Sequence, residues 1–437
     1  MSANADWLAR SRAAVWHPCT QMKVHETLPL VPVAHAEGAW LTDFDGNRYL
    51  DAVSSWWVNL FGHANARIGA AIAAQLREVD HVMLAGFTHR PAVELAERLA
   101  ALAPPGLGHA FFASDGASAT EIALKMSVHA WRNRGHAEKS TILHLAGSYH
   151  GETLGALAVT DVTIFRAAYA PLLVPHTRID SPVPLDGETP AAAASRAADV
   201  LERHLARHHG SIAALVIEPL VQGANGMRMY AASYLTRASE LCTRFNVHLI
   251  ADEIMTGFGR TGTMFACEQA PITPDLMCLS KGITGGVLPL SVVLVRDDIY
   301  AAFYDDDVSR AFLHSHSYTG NALACRAALA VLDIFRDDDV IAANAVRAQR
   351  FDEIAASLAT HPRVRHWRRC GMILAFDIDT ARADFAQWFF GEALARGLLL
   401  RPIGTTVYFM PPYIVTDAEF AMLTGATAEI LDAKGLQ

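Results

Sequence analysis

The sequence predicts an α/β fold in two parts. Residues 88–323 form a large domain with a mostly parallel sheet flanked by helices, and residues 1–87 and 324–437 together form a smaller α+β domain. Three observations lead there. Between about residues 88 and 300, short apolar runs alternate with segments of helical periodicity, as in strands joined by helical crossovers. The two chain ends break that alternation: the first is irregular and carries prolines, and the second reads as helix-rich α+β. At 437 residues the chain also exceeds what one core of ordinary size organises.

Taken in order, residues 109–113 (HAFFA) read as a strand and residues 117–132 as a helix. Ile122, Met126 and His129 or Ala130 share one face of that helix, which stops before Gly135. Residues 141–145 form the next strand, 191–209 a helix, 212–217 (IAALVI) a strand, 232–245 a helix and 247–251 (VHLIA) a strand. Residues 275–279 (DLMCL) are a further short strand. In a sheet of this kind functional groups gather just beyond the carboxyl ends of the strands, where helix N-termini also point.

Composition narrows the function. The hydrophobic fraction of 52% and charged fraction of 19% are those of a folded globular protein. A formal net charge of -9 with no basic block argues against a nucleic-acid partner and for small molecules. Six scattered cysteines, Cys19, Cys242, Cys267, Cys278, Cys325 and Cys370, form no C-x-x-C pair. They suit a reducing cytoplasm rather than a disulfide framework or a zinc knuckle. The start of the chain has no apolar signal region, and no segment approaches the ~20 apolar residues of a membrane span. His204, His208 and His209 read as a solvated helix face, and no metal site is expected.

Four segments carry chemistry. In residues 249–262 (LIADEIMTGFGRTG) an apolar strand runs into Asp252, and a loop with Gly257, Gly259 and Gly262 then turns the chain. Taken singly, a strand-end aspartate is a turn or helix cap. An anion there also suits a cationic heteroaromatic nitrogen. The strand at 275–279 leads into residues 280–286 (SKGITGG), placing Lys281 at another strand end beside glycines that let a bulky ligand approach. A lone lysine before glycine is ordinarily a surface turn residue; paired with Asp252 it becomes a nucleophile and proton carrier whose amine a desolvated pocket activates. Residues 114–121 (SDGASATE) follow a strand and open a helix, so amides near Gly116, Ala117 and Ser118 offer an anion cradle. Residues 147–151 (GSYHG) offer Tyr149 as a stacking face for a flat ring.

Together these segments resemble the class III aminotransferases, which have the type I fold of pyridoxal-phosphate-dependent transferases, and the resemblance covers nearly the whole chain. Residues 16–20 (WHPCT), 54–57 (SSWW), 221–230 (VQGANGMRMY), 401–404 (RPIG) and 408–413 (YFMPPY) place it nearest the branch that aminates 7-keto-8-aminopelargonate (8-amino-7-oxononanoate) to 7,8-diaminopelargonate in biotin formation. The resemblance implies pyridoxal 5'-phosphate as cofactor and a ping-pong mechanism. Lys281 becomes the Schiff-base and proton-transfer lysine, Asp252 the partner of the ring nitrogen, and Tyr149 the stacking residue. Gly116, Ala117, His316 and Ser317 contact the cofactor, with Ser317 reaching the phosphate of a second subunit in a homodimer whose active sites lie at the interface. Cys19, Trp56, Trp57, Tyr149, Ser315, Arg401 and Tyr408 join Lys281 in contacting substrate, with Arg401 on the distal carboxylate of the acceptor.

The chain departs from the family pattern at Cys19, where a tyrosine is usual, at Ala117 for serine and at Glu152 for aspartate. Residues 315–317 read Ser-His-Ser where members using S-adenosylmethionine often have Gly-Pro-Thr. The tryptophan pair favours S-adenosylmethionine as donor, since aromatic faces suit a sulfonium cation. Lysine is the alternative donor, another class III ω-amino acid aminotransferase the alternative enzyme, and a cofactor-free binding protein on the same fold the alternative class.

Overall fold

Seven strands build the main sheet: β1 (His109–Ala113), β2 (Thr141–Leu145), β3 (Thr177–Ile179), β4 (Ile212–Ile217), β5 (His248–Asp252), β6 (Leu276–Leu279) and β7 (Ser291–Val295). Their order across the sheet is β1-β7-β6-β5-β4-β2-β3. Every neighbouring pair is parallel except the two that involve β7, which runs antiparallel to both β6 and β1. The periodicity does not single out β7, because SVVLV continues an apolar stretch without a helical crossover before it. Strands β4, β5, β6 and β7 are buried along their whole length, as strands covered by helices on both faces must be.

The computed structural model describes residues 2–28 and 30–436; Met1, Pro29 and Gln437, which the expected smaller domain includes, lie outside the described residues. Of the larger unit's long helices, α1 (Arg90–Leu102), α2 (Gly116–Asn133), α3 (Pro190–His208), α4 (Ala232–Arg244) and α5 (Ala322–Asp337), the middle three begin and end within one residue of their sequence-based bounds, and α1 and α5 have no counterpart among the sequence-based elements. On α2, Ile122, Met126 and Ala130 are buried while His129 is only half-buried, and Thr120 and Ser127 are buried with the apolar stripe. Each fully buried aliphatic side chain of this kind contributes ~1.5–3 kcal/mol. At the amino end of the sheet the buried Lys139 ammonium donates to the carbonyls of His209, Ile212 and Asn246, at 2.8, 3.1 and 2.7 Å. The cation satisfies backbone there and leaves the carboxyl end for chemistry.

Residues 67–345 with 369–372 form one compact unit, and residues 1–66, 346–368 and 373–437 the other. The larger unit therefore extends beyond residues 88–323 at both ends. Helix α5 packs on α1 and on the turn that follows Lys281, and Arg67 pairs with Asp337 and Asp338 at the end of α5, at 2.6 and 3.0 Å. The smaller unit holds a four-stranded sheet of Val33–Glu37, Trp40–Asp43, Arg48–Asp51 and Leu398–Leu399, and a three-stranded one of Val364–Cys370, whose last two residues count with the larger unit, Ile373–Ile378 and Thr406–Phe409. Among the described residues no helix is long and apolar enough to cross a membrane, no group of three or more His, Cys, Asp or Glu is placed to hold a metal, and none of the six cysteines forms a disulfide.

Candidate active site

Strand direction and order bring five chain segments to one edge of the main sheet. Strands β6, β5, β4 and β2 are parallel neighbours in that sequence, and β1 shares their direction through two antiparallel pairings with β7. Their carboxyl ends therefore deliver Lys281, Asp252, Glu218, the loop of Tyr149 and His150, and the loop of Ser114 to Gly116 to the same side. Asp252 is paired in register with Cys278, three residues before Lys281. Adjacent strands lie ~4.8 Å apart, so acid and amine emerge side by side.

Asp252 is buried and its carboxylate is already partly engaged. One oxygen accepts the Ile254 N–H at 3.1 Å, and the other lies 2.6 Å from Nδ1 of the fully buried His150. Because the carboxylate only accepts, His150 carries its proton on Nδ1, which leaves Nε2 buried without a hydrogen-bond partner. Glu218, next along the edge, accepts the Tyr149 N–H at 3.0 Å and the Gly223 N–H at 2.9 Å. Burial pushes its carboxyl up to about 7, with His150 opposing and Asp252 adding to the rise. Lys281 is half-buried with φ 44°, in the left-handed region. Burial pulls its amine below the usual lysine range, while the carboxylates of Asp252 and Glu218 pull the other way. A lysine in this setting holds its proton less firmly than one in water, as a nucleophile or general base requires.

Helix α2 begins at Gly116, and Asp115 caps it by accepting the Ser118 N–H at 2.9 Å. That takes Ser118 out of the cradle and leaves the Gly116 and Ala117 amides at the helix N-terminus. A Cβ on Gly116 would lie 2.9 Å from Ile254, and one on Gly151 would lie 2.5 Å from the Ala117 Cβ, so the loop after β2 closes directly over the start of α2. Tyr149 is half-buried, with its hydroxyl donating to Glu152 at 2.9 Å and its ring edge-on to Phe165. His316 Nδ1 lies 3.4 Å from the Ser114 hydroxyl, while Ser315 and Ser317 are exposed.

The remaining candidates form a separate cluster in the smaller unit. Arg401 sets its guanidinium 5.6 Å from the Trp56 ring centroid and donates to the Cys19 carbonyl at 3.4 Å. Trp57 and Tyr408 are buried edge-to-face against each other, with the indole N–H donating to the phenol oxygen at 3.1 Å. Trp56 points outward and is 47% exposed. Ser54, Ser55, Trp56 and Trp57 have φ of 52, 45, 73 and 73°, one turn of left-handed helix without a glycine. Such a conformation costs ~1–2 kcal/mol for each residue. A motif of four letters, SSWW, carries no hint of that backbone.

Sequence reasoning did not name His150 or Glu218. Glu218 carries the same signal as Asp252, an acidic residue directly after the buried run IAALVI, and His150 sits inside the GSYHG segment already singled out for Tyr149.

Comparison with known proteins follows the same lines. Residues 21–431 match the family model for class-III aminotransferases. The adenosylmethionine-8-amino-7-oxononanoate aminotransferase of Helicobacter pylori is 44% identical over 425 residues, 96% of each chain. The crystal structure of the enzyme of that name from Methanocaldococcus jannaschii superposes with a TM-score of 0.92 at 31% identity, covering 98% of this chain and 99% of that one. An amine transaminase from an uncultivated Pseudomonas species, in its PLP-bound form, gives a TM-score of 0.87 at 33% identity, covering 96% and 98%.

Proposed function

The chain belongs to the class III aminotransferases, and from that premise we propose that it transfers an amino group from S-adenosylmethionine to 8-amino-7-oxononanoate, giving 7,8-diaminopelargonate with pyridoxal phosphate as cofactor. The observation that carries this reading is the emergence of Lys281 and Asp252 from neighbouring parallel strands. The residues fit the cofactor. An amine of lowered basicity, a buried carboxylate backed by a histidine, and the Gly116 and Ala117 amides at a helix start, with no room for a Cβ at Gly116, match an aldehyde, a ring nitrogen and a phosphate.

When bound, pyridoxal phosphate supplies an electron sink beside the substrate carbon. Lys281 would hold the cofactor covalently, and its amine would carry the proton to and from the substrate carbon. Asp252, its charge oriented by His150, keeps a proton on the ring nitrogen. The Gly116 and Ala117 amides hold the phosphate, and Tyr149 packs against the ring. Arg401 pairs with the distal carboxylate of the acceptor, and Trp56 walls the substrate and faces the donor's sulfonium. Cys19, Trp57, Tyr408 and Ser315 complete the substrate contacts. His316 lies on the cofactor side, and Ser317 reaches the phosphate of the second subunit of a homodimer. The cysteine pattern supports a cytoplasmic location.

Lysine as donor is the second reading, favoured by the Ser-His-Ser of residues 315–317. Purified enzyme given 8-amino-7-oxononanoate with either donor decides between them. Diaminopelargonate is expected with S-adenosylmethionine; formation with lysine alone overturns the donor, and no product with either overturns the acceptor.

A further inference from the structure

We propose that Asp51 is a positioning residue that fixes Trp56 in place by bonding the left-handed turn that carries it. This deepens the reading above and rests on it for the role of Trp56 as a substrate wall.

Asp51 ends the strand Arg48–Asp51 and is fully buried. One carboxylate oxygen accepts the Ser55 N–H at 2.9 Å and, more loosely, the Val53 N–H at 3.4 Å. The other accepts the Ser55 hydroxyl at 2.7 Å and the His63 Nε2–H at 3.0 Å. His63 is itself held by reciprocal backbone bonds with Gly38, at 2.7 and 3.1 Å. Two further bonds pin the turn on either side of Ser55: the Ser54 hydroxyl donates to the Met410 carbonyl at 2.7 Å, and Trp57 donates to Tyr408. Ser55, bonded to Asp51 through both N–H and hydroxyl, is the residue directly before Trp56.

The geometry calls for such a clamp because L-residues leave the left-handed region unless something compensates them. With the turn intact, Ser54 and Trp57 point into the unit and Trp56 points out beside Arg401. Were residues 55 and 56 to relax to the right-handed region, the Trp56 ring would swing away from the guanidinium while Ser54 and Trp57 kept their anchors. An anion suits this task better than a neutral group, since it accepts four hydrogen bonds and each is stronger for the charge.

The test compares the holoenzyme with Asp51→Asn, Ser55→Ala and the double variant Asp51→Asn/Ser55→Gly. Each is paired with its Trp56→Phe counterpart so that the fluorescence of Trp56 is read by difference. Asp51→Asn and Ser55→Ala are expected to raise acrylamide quenching of the Trp56 signal about twofold and KM for both substrates about tenfold, with kcat within about threefold. Glycine enters the left-handed region without steric cost, so the double variant is expected to recover to within about threefold of the parent in KM and to regain the parent's quenching. An unchanged Trp56 signal in Asp51→Asn and Ser55→Ala overturns the proposal, as does failure of glycine to restore it. A shifted signal with unchanged KM leaves Asp51 as the clamp and removes Trp56 from the substrate wall. Should Asp51→Asn not fold, Ser55→Ala, which leaves the buried carboxylate in place, carries the same test.

Discussion

The carboxyl edge of the main sheet and the aromatic–arginine cluster of the smaller unit place their side chains by opposite means. At the sheet edge, Asp252 ends a regular, buried strand, Glu218 directly follows one and Lys281 comes two residues after one, itself left-handed, so the ladder register of three buried strands brings them to one side. In the smaller unit, Trp56 and Trp57 sit on a strained left-handed turn held by side-chain bonds to Asp51, Met410 and Tyr408. On the roles proposed above, the chemistry common to every substrate would rest on backbone fixed by the sheet ladder, and recognition on backbone that particular side chains hold in place.

If that division is right, damage at the sheet edge lowers turnover and damage in the cluster lowers affinity. Lys281→Ala tests it most severely: kcat is expected to fall on the order of 10⁴-fold, with the absorbance of covalently held cofactor lost. Next in size, Asp252→Asn is expected to lower kcat about 10²-fold in both half-reactions, measured separately by stopped-flow absorbance. A loss confined to one half-reaction would move Asp252 from the shared chemistry to recognition. Arg401→Ala sharpens the other side, raising KM for the keto acceptor roughly 10- to 100-fold while the half-reaction with donor changes little. Equal losses in both half-reactions would dissolve the division.

The smallest expected effect concerns stability. Burial raises the Glu218 carboxyl from its ordinary 4.5 to about 7, so between those values the folded chain keeps a proton that the unfolded chain releases. The contribution of this group to stability is therefore present in full below about pH 4.5 and declines as pH rises to about 7. Glu218→Gln is expected to remove that part of the slope, read as the difference between the two proteins' urea midpoints across this range. Identical slopes would place the titration elsewhere.

How far the sequence reaches follows from the same contrast. Helices α2, α3 and α4 and strands β1, β2, β4, β5 and β6 were legible because their apolar periodicity is local, and Asp252 and Lys281 because one directly ends an apolar run and the other follows one after a single serine. Strand β7 is a valine-rich apolar run, but its reversal of direction inside the sheet has no local signature. The extension of the larger unit to residue 345 depends on α5 packing against α1, a contact between residues over two hundred positions apart.

The sequence by itself determined helices α2 to α4, strands β1, β2, β4, β5 and β6 and the residues that end them, since hydrophobic periodicity and turn chemistry act over a few neighbouring residues. Only the tertiary structure decided that His150 backs Asp252, that Glu218 joins the same edge, and that Ser54 to Trp57 wind left-handed. Those outcomes require partners as distant as Tyr408 from Trp57, and a hydrogen bond between remote residues leaves no trace in the local pattern of either.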